Sequence, residues 1–370
     1  MRRKIVPKFL KWAAVLAVLV VAIAALGLGY RAYRQHKIAD AITIRSANGI
    51  DEAMFVKIGG IEQWLQIRGE DKSNPVILIV HGGPGVSLMA YTPIFQSWEK
   101  YFIVVQWDQR GDGKTFGRNG EVASEPMTIN RMTRDGIEVS QYLLHHLHKK
   151  KIVLLGHSWG SVLGVRIVKA RPDLFSAYVG TGQIVSEQPD LEAAYIILMK
   201  KVRNVHDQRA IADLEAAGPP PYKDAKASLP LRKWLDVYSI AAERDLTANV
   251  RRMILVAPNY SLWDIYDFFA AARFSKAQTY AELNAYDAEL NAYDARKLGP
   301  DFALPVFIIE GDDDLITPAT FARQYFDWIR APQKTFVLLK DAGHSAMLTV
   351  PDEFLQALVA HVRPVASEKQ

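Results

Sequence analysis

KIVLLGHSWGSVLGVRIVKA, residues 151–170, is the stretch from which the rest of the chain is read. Residues 152–155 form a short apolar run rich in β-branched side chains, as in a strand buried on both faces. Gly156-His157-Ser158-Trp159-Gly160 then turns sharply, and Ser161, Gly164, Val165, Ile167 and Val168 continue as a buried helix. A G-x-S-x-G string between a strand and a helix is a nucleophile elbow, which holds its serine out at the carboxyl end of a sheet. Gly156 and Gly160 leave the turn room, because a Cβ at either position crowds the neighbouring strand or helix. Ser158 is therefore the candidate nucleophile. Taken alone, the string also fits an ordinary glycine-rich turn.

The chain has 370 residues, 49% of them hydrophobic and 23% charged, enough to bury a large core. It contains no cysteine. That excludes disulfides, thiolate catalysis and Cys-ligated zinc, and it leaves the redox compartment open. The net charge of +5 is modest. Basic residues gather at the N-terminus and are otherwise scattered, so no nucleic-acid partner is expected.

Residues 1–37 stand apart. Arg2, Arg3, Lys4, Lys8 and Lys11 precede an uncharged stretch, 12–30, rich in Ala, Val and Leu, and Arg31, Arg34 and Lys37 follow it. At about 1.5 Å per residue such a helix crosses most of a hydrocarbon core of about 30 Å. Trp12 and Tyr30 sit where interfacial aromatics belong. The rival reading is a cleaved secretory signal. Its apolar core is long for one, and Gly-Leu-Gly-Tyr-Arg makes a poor cleavage site, so an uncleaved anchor is favoured. The basic excess before the span predicts a cytoplasmic N-terminus and an extracytoplasmic remainder, periplasmic if the source is Gram-negative.

Beyond the anchor, residues 51–58 and 62–68 flank Gly59-Gly60 and read as a hairpin. Residues 75–80 (PVILIV) form a buried strand running into HGGPG, 81–85. Residues 87–98 read as helical. Residues 101–107 form another strand, ending in DQRGDG at 108–113. Residues 128–148 read as an amphipathic helix whose His145, His146 and His148 form a solvated end without metal-ligand spacing. A strand at 175–180 follows the elbow. From 184 to about 300 helical periodicity, aromatics and Gly218-Pro219-Pro220-Pro221 replace the strand–helix alternation, as in an inserted helical cap. Within it AELNAYD at 281–287 repeats at 288–294, putting Leu283, Tyr286, Leu290 and Tyr293 on one helix stripe. A small duplication lengthening an amphipathic helix accounts for it. The alternation resumes with PVFIIE at 305–310, GDDDLITP at 311–318, a helix at 319–329, a strand at 335–339, DAGH at 341–344 and a closing helix at 351–362.

Buried strands alternating with helices predict a mostly parallel, doubly wound α/β sheet, in which chemistry gathers at the carboxyl ends of strands. A glycine-rich loop, a serine, an aspartate cluster and a histidine fall at such ends in that order. The order Ser…Asp…His is that of α/β-hydrolases. A serine hydroxyl needs a base to take its proton, an imidazole can do so near neutral pH, and a carboxylate fixes the imidazole's tautomer and balances its cation. His344 is the candidate base.

HGGPG at 81–85, DQRGDG at 108–113, GHSWGS at 156–161, GDDDLITP at 311–318 and GH at 343–344 together resemble the proline iminopeptidase-like family of α/β-hydrolases, among the prolyl aminopeptidase serine peptidases. The likeness spans residues 50–365 and departs from the pattern at His157, where glycine is usual. His157 is expected to contact its sheet neighbours. The family carries its acid in a G-x-x-D-x-x-x-P loop, which maps onto Gly311, Asp314 and Pro318 and implies Asp314 rather than Asp312 or Asp313. The resemblance also implies an oxyanion hole from the backbone N–H groups of Trp159 and one of the glycines 82–83, taken here as Gly83. Asp108 and Arg110 are expected to brace the 81–85 loop and the cap. No metal or cofactor is expected.

The resemblance thus implies an α/β-hydrolase fold, and the chain is expected to divide into an anchor at 1–37, a core at 38–183 and 301–370, and a cap at 184–300. It implies a serine hydrolase releasing N-terminal proline or another small residue through an acyl-enzyme. The family recognises a free amino terminus with cap glutamates, one of them in a W-x-x-W-E pattern that this chain lacks. The nearest string is Trp263-Asp264-Ile265-Tyr266-Asp267, so Glu187, Asp264 and Asp267 are the candidate amine partners. Carboxylesterase or amidase action on small acyl substrates is the alternative, and a non-catalytic binding member of the fold a further one. Aspartate-nucleophile chemistry, as in epoxide hydrolases and haloalkane dehalogenases, is disfavoured by serine at 158.

Overall fold

The computed structural model describes residues 8–121, 127–222, 226–281 and 293–367. Eight strands form one sheet in the order β1-β2-β4-β3-β5-β6-β7-β8. β1 (Ile50–Ile58) and β2 (Ile61–Gly69) are the antiparallel hairpin about Gly59-Gly60, and β2 pairs antiparallel with β4 (Ile103–Asp108). From β4 onward the neighbours are parallel: β3 (Val76–Val80), β5 (Ile152–His157), β6 (Phe175–Thr181), β7 (Val306–Gly311) and β8 (Lys334–Leu339). Every residue of β3 to β7 is buried, which is why these segments read as mostly apolar runs rather than alternations.

Alternate side chains feed two cores. Val76, Leu78 and Val80 join the face covered by α3 (Ile129–His146) and α4 (Trp159–Ala170), with Met132, Val139, Leu143, Val162 and Val165. Ile77 and Ile79 point the other way, toward Phe95, Trp98, Phe354 and Leu358. Residues 89–100, overlapping the helix expected at 87–98, form a 3₁₀ helix, and Pro93 inside it removes one backbone donor. α2 (Gly113–Asn119) packs on β2.

Among the described residues, five α-helices and a short 3₁₀ turn (Ala295–Leu298) lie between β6 and β7: α5 (Glu187–Asn204), α6 (Gln208–Ala217), α7 (Leu229–Tyr238), α8 (Ala241–Val256) and α9 (Leu262–Ala281). α5, α6 and α7 have their own small core of Leu198, Val202, Leu214, Leu231 and Trp234, which takes in Leu315 from the loop after β7. α10 (Ala319–Trp328) follows β7, and α11 (Ala346–Thr349) and α12 (Pro351–Ala357) follow β8, with a π turn and short helix after α12. Most of the repeated AELNAYD segment lies outside the described residues; Tyr293, at its end, is buried.

At the other end, α1 (Lys8–Ala41) is one unbroken helix whose apolar side chains, including Leu16, Leu19, Val21 and Leu26, stand exposed. It is long and apolar enough to be a membrane anchor or a signal sequence.

Candidate active site

The site begins with the turn between β5 and α4. Ser158 has φ 52° and ψ −122°, a backbone conformation L-residues avoid, and it is held there by close packing on both sides. A Cβ on Gly160 would lie 1.9 Å from Val80 O, and one on Gly156 2.6 Å from Gly160 O. Only glycine lets α4 approach β3 and β5 this closely. Ser158 N–H donates to Thr181 O at 3.0 Å, tying the turn to the end of β6.

The loop after β8 brings His344 over this turn. Its Nε2 lies 2.9 Å from Ser158 Oγ, and its Nδ1 lies 2.9 Å from Asp314 Oδ2. Asp314 is fully buried, and its other oxygen accepts the N–H groups of Ile316 (2.7 Å) and Thr317 (2.9 Å), while Thr317 Oγ1 donates to Oδ2 at 2.8 Å. Burial works against the charge, but the His344 cation and these donors outweigh it and hold Asp314 below the usual carboxylate range. Burial likewise pulls His344 down; Asp314, with Glu243 and Glu310, overrides it and lifts the imidazole to about 9. Of the three adjacent aspartates, Asp314 alone reaches the histidine. Asp313 pairs with Lys201 of α5 at 2.6 Å, and Asp312 accepts the Ala342 N–H at 3.4 Å.

Three groups around His344 carried no signal in the sequence or a faint one. Glu310, the penultimate residue of β7, is fully buried and accepts Gly182 N–H (2.8 Å) and Gln183 N–H (2.9 Å). Burial, reinforced by Asp314, raises it to about 8. His157 is buried, with Nε2 3.1 Å from His344 O, and burial beside His344 drops it to about 3, leaving it a neutral donor. Its ring thus meets the loop after β8, whereas sheet neighbours were expected. Glu243, near the start of α8, accepts the Ser345 N–H, and burial raises its carboxyl despite the nearby His344 cation. A Cβ on Gly343 would meet the Glu243 carboxyl at 2.9 Å, so this glutamate lies directly on the histidine loop.

The HGGPG loop closes the other side. A Cβ on Gly82 would come within 3.1 Å of Ser158 Cβ, so Gly82 lies against the serine, and Gly83 follows at φ +118°. Trp159, the first residue of α4, is buried and its indole donates to Gln109 Oε1 at 3.3 Å. Beneath the loop, Asp108 accepts Ser87 Oγ–H at 2.6 Å, and Ser87 lies 3.2 Å from Tyr260 OH of the inserted helices. Asp108 thus reaches the inserted helices through Ser87, two residues past the loop. Arg110 instead turns away from them. Its guanidinium donates to Asp135 of α3 (2.8 Å) and to Gly59 O (2.8 Å), locking the β1–β2 turn to the helix layer.

Asp264 and Asp267 share a face of α9, and that face meets α2. Asp264 accepts the Ser261 N–H and lies 3.4 Å from Lys114 Nζ, while Asp267 abuts Gly117. Neither is among the described contacts of Ser158, His344 or Asp314. Glu187 opens α5, and its side chain lies outside the described residues. A cavity of about 1360 Å³ opens among α5, α6 and α7, lined by Leu191, Asp213, Leu229, Arg232, Leu235 and others; it meets the Asp314 loop only at Ile316. Among the described residues no cluster of His, Asp and Glu side chains could hold a metal ion.

A family model described as alpha/beta hydrolase fold matches residues 75–351. A Bacillus subtilis protein named "Probable aminopeptidase YbaC" is 32% identical over 315 residues, 83% of this chain and 95% of the relative. Solved structures that share the fold include the following two. A proline iminopeptidase of Mycobacterium smegmatis has a TM-score of 0.60 at 20% identity, covering 86% of this chain and all of its own (100%). A bacterial membrane phospholipase A has a TM-score of 0.59 at 16% identity, covering 96% of this chain and 99% of its own. The strand order, the elbow and the family match agree, and the chain belongs to the alpha/beta hydrolase fold family.

Proposed function

We propose that the protein is a serine hydrolase working through an acyl-enzyme, with Ser158 as nucleophile, His344 as general base and Asp314 as its orienting acid. The observation that carries this reading is the unbroken hydrogen-bonded line from Ser158 Oγ through His344 to Asp314, 2.9 Å at each step. His344 Nε2 takes the Ser158 proton as Oγ attacks the substrate carbonyl, and later hands it to the leaving amine or alcohol. Asp314 keeps the other ring proton on Nδ1 and balances the imidazolium. The N–H groups of Trp159 and Gly83 receive the developing oxyanion; one such donor typically contributes about 3 kcal/mol in the transition state. Water then repeats the sequence on the ester and frees the serine.

The substrate in this reading is a peptide whose N-terminal proline, or another small residue, is released. Relatives named as aminopeptidase and proline iminopeptidase support it, and so does the carboxylate of Glu243 on the histidine loop. A cationic amine entering a closed site loses hydration worth several kcal/mol and needs such a partner. Glu243 joins Glu187, Asp264 and Asp267 as the groups to test. Free proline arylamide should be hydrolysed and its N-acylated form should not. Neutralising the amine-binding carboxylate should raise KM sharply and leave short-chain ester cleavage intact. Equal cleavage of free and N-acylated substrates assigns the protein to the carboxylesterases, and failure to react with a fluorophosphonate makes it a binding protein.

In the same reading α1 is an uncleaved anchor, with the N-terminus cytoplasmic and the hydrolase core and cap outside. Full-length protein should then resist alkaline carbonate extraction. A mature N-terminus beyond residue 25 would mark a cleaved signal instead.

A further inference from the structure

We propose that the corner between α8 and α9 is a second membrane contact, in which Leu255, Leu262, Trp263 and Tyr266 sit in the headgroup layer of the bilayer that α1 crosses. The proposal rests on the reading of α1 as an anchor.

The height of the corner follows from how α1 is bonded to it. The uncharged span ends at Tyr30, and the next residue, Arg31, donates to Leu255 O at 2.9 Å and also to Tyr260 O. One turn further on, Gln35 Nε2 donates to Ala257 O (2.6 Å) and Tyr260 O (2.9 Å). Leu255 O is one of the last carbonyls of α8, at the negative end of its dipole, and Ala257 O and Tyr260 O belong to the turn that follows, so a cation and an amide close off this corner. The contact is thus specific. From Trp12 to Tyr30 the helix rises about 28 Å, close to the thickness of the hydrocarbon core, so Arg31 and the carbonyls it binds lie at the membrane–water boundary.

At that level the corner presents apolar side chains to the outside. Leu255 is 47% exposed, Leu262 53%, Trp263 76% and Tyr266 59%. Scattered exposed apolar residues are ordinary, but here four fall between residues 255 and 266, with the Trp263 and Tyr266 rings in edge contact at 6.3 Å. Tryptophan and tyrosine are the side chains that favour the headgroup region. Arg251 and Arg252, four and three residues before Leu255, share its face of α8 and are exposed, which suits anionic headgroups. A bilayer accommodates this apolar patch with its basic edge and needs no partner protein. With two points of attachment, the inserted helices are held at a set orientation over the lipid surface instead of swinging on a single tether.

The chain's lack of cysteine makes the test direct. Leu19→Cys, Trp263→Cys and Ile196→Cys are each labelled with a nitroxide in the full-length protein. Each is reconstituted in vesicles of phosphatidylethanolamine and phosphatidylglycerol. Collisions with oxygen, enriched in lipid, are compared with those of a water-soluble nickel chelate. Ile196, on α5, is 67% exposed and is the aqueous reference. The expected result is oxygen-dominated collision at Leu19 and Trp263 and chelate-dominated collision at Ile196. A Leu19 label in lipid with Trp263 as water-accessible as Ile196 overturns the second contact while the anchor stands. Leu19 in water overturns both. A Trp263 label shielded from both reagents means a protein covers the corner, and the lipid assignment fails.

Discussion

Asp314→Asn tests the proposed chemistry at its most exacting point. The wild-type carboxylate accepts four hydrogen bonds, from Ile316 N–H, Thr317 N–H, Thr317 Oγ1–H and His344 Nδ1–H, in a fully buried setting. An amide has two donor hydrogens and a single acceptor oxygen. If the oxygen keeps the two backbone donors, the NH₂ faces Nδ1, and the imidazole must turn to the tautomer with its proton on Nε2. That proton then points at Ser158 Oγ, and the base is lost. Loss of an acid in this role costs about 10⁴ in kcat, roughly 5 kcal/mol of barrier. A second readout follows from the charge. Asp314 is the group that lifts His344 to about 9, so removing it must shift the rising limb of the pH–rate profile to lower pH. The assay is kcat on a proline arylamide and on a short-chain ester across pH, with circular dichroism to establish folding. Asp312→Asn and Asp313→Asn, whose carboxylates bond elsewhere, should stay close to wild type. A folded Asp314→Asn within tenfold of wild-type kcat, or a crippled Asp312→Asn or Asp313→Asn beside it, would refute the assignment.

Ser158→Ala should lower turnover by about 10⁶-fold with the fold intact and abolish fluorophosphonate labelling; residual labelling would name another serine. In wild type, His344 must be neutral to act as base, and its raised value means kcat/KM should climb tenfold per pH unit up to about pH 9 before levelling. The same shift adds stability below about pH 6.5, where the unfolded histidine is also charged, and that stability fades as the pH rises through about 9, which urea titrations at several pH values will register. Asp135→Ala should destabilise by about 4 kcal/mol, because it strands the fully buried Arg110 guanidinium that no water can reach; a loss under about 1 kcal/mol would show that the pair is dispensable.

Much of the sheet was readable from the chain because burial on both faces leaves a local mark. β3, β4, β5 and β7 carry apolar runs, broken in β4 only by Gln106, each ending in glycine or a polar or charged residue, and this marks them as strands. Ser158 and His344 could be named for a related reason: the turn that lifts Ser158 requires Gly156 and Gly160 at fixed offsets, and His344 follows a strand in the expected order. Asp314 is a borderline case. Local chemistry does not separate three adjacent aspartates, and their roles diverge only because Lys201 draws Asp313 toward α5 and the Ala342 N–H takes Asp312.

Polar side chains whose partners lie far along the chain left no pattern at all. Glu243 reaches Ser345 across 102 positions, Arg110 turns to Asp135 and Gly59 rather than to the inserted helices, and Arg31 closes the C-terminus of α8 from 224 positions away. Periodicity records which side chains avoid water. A hydrogen bond between distant residues imposes no spacing on the chain, so the partners of Glu243, Arg110 and Arg31 were decided only when the sheet, the inserted helices and α1 came together.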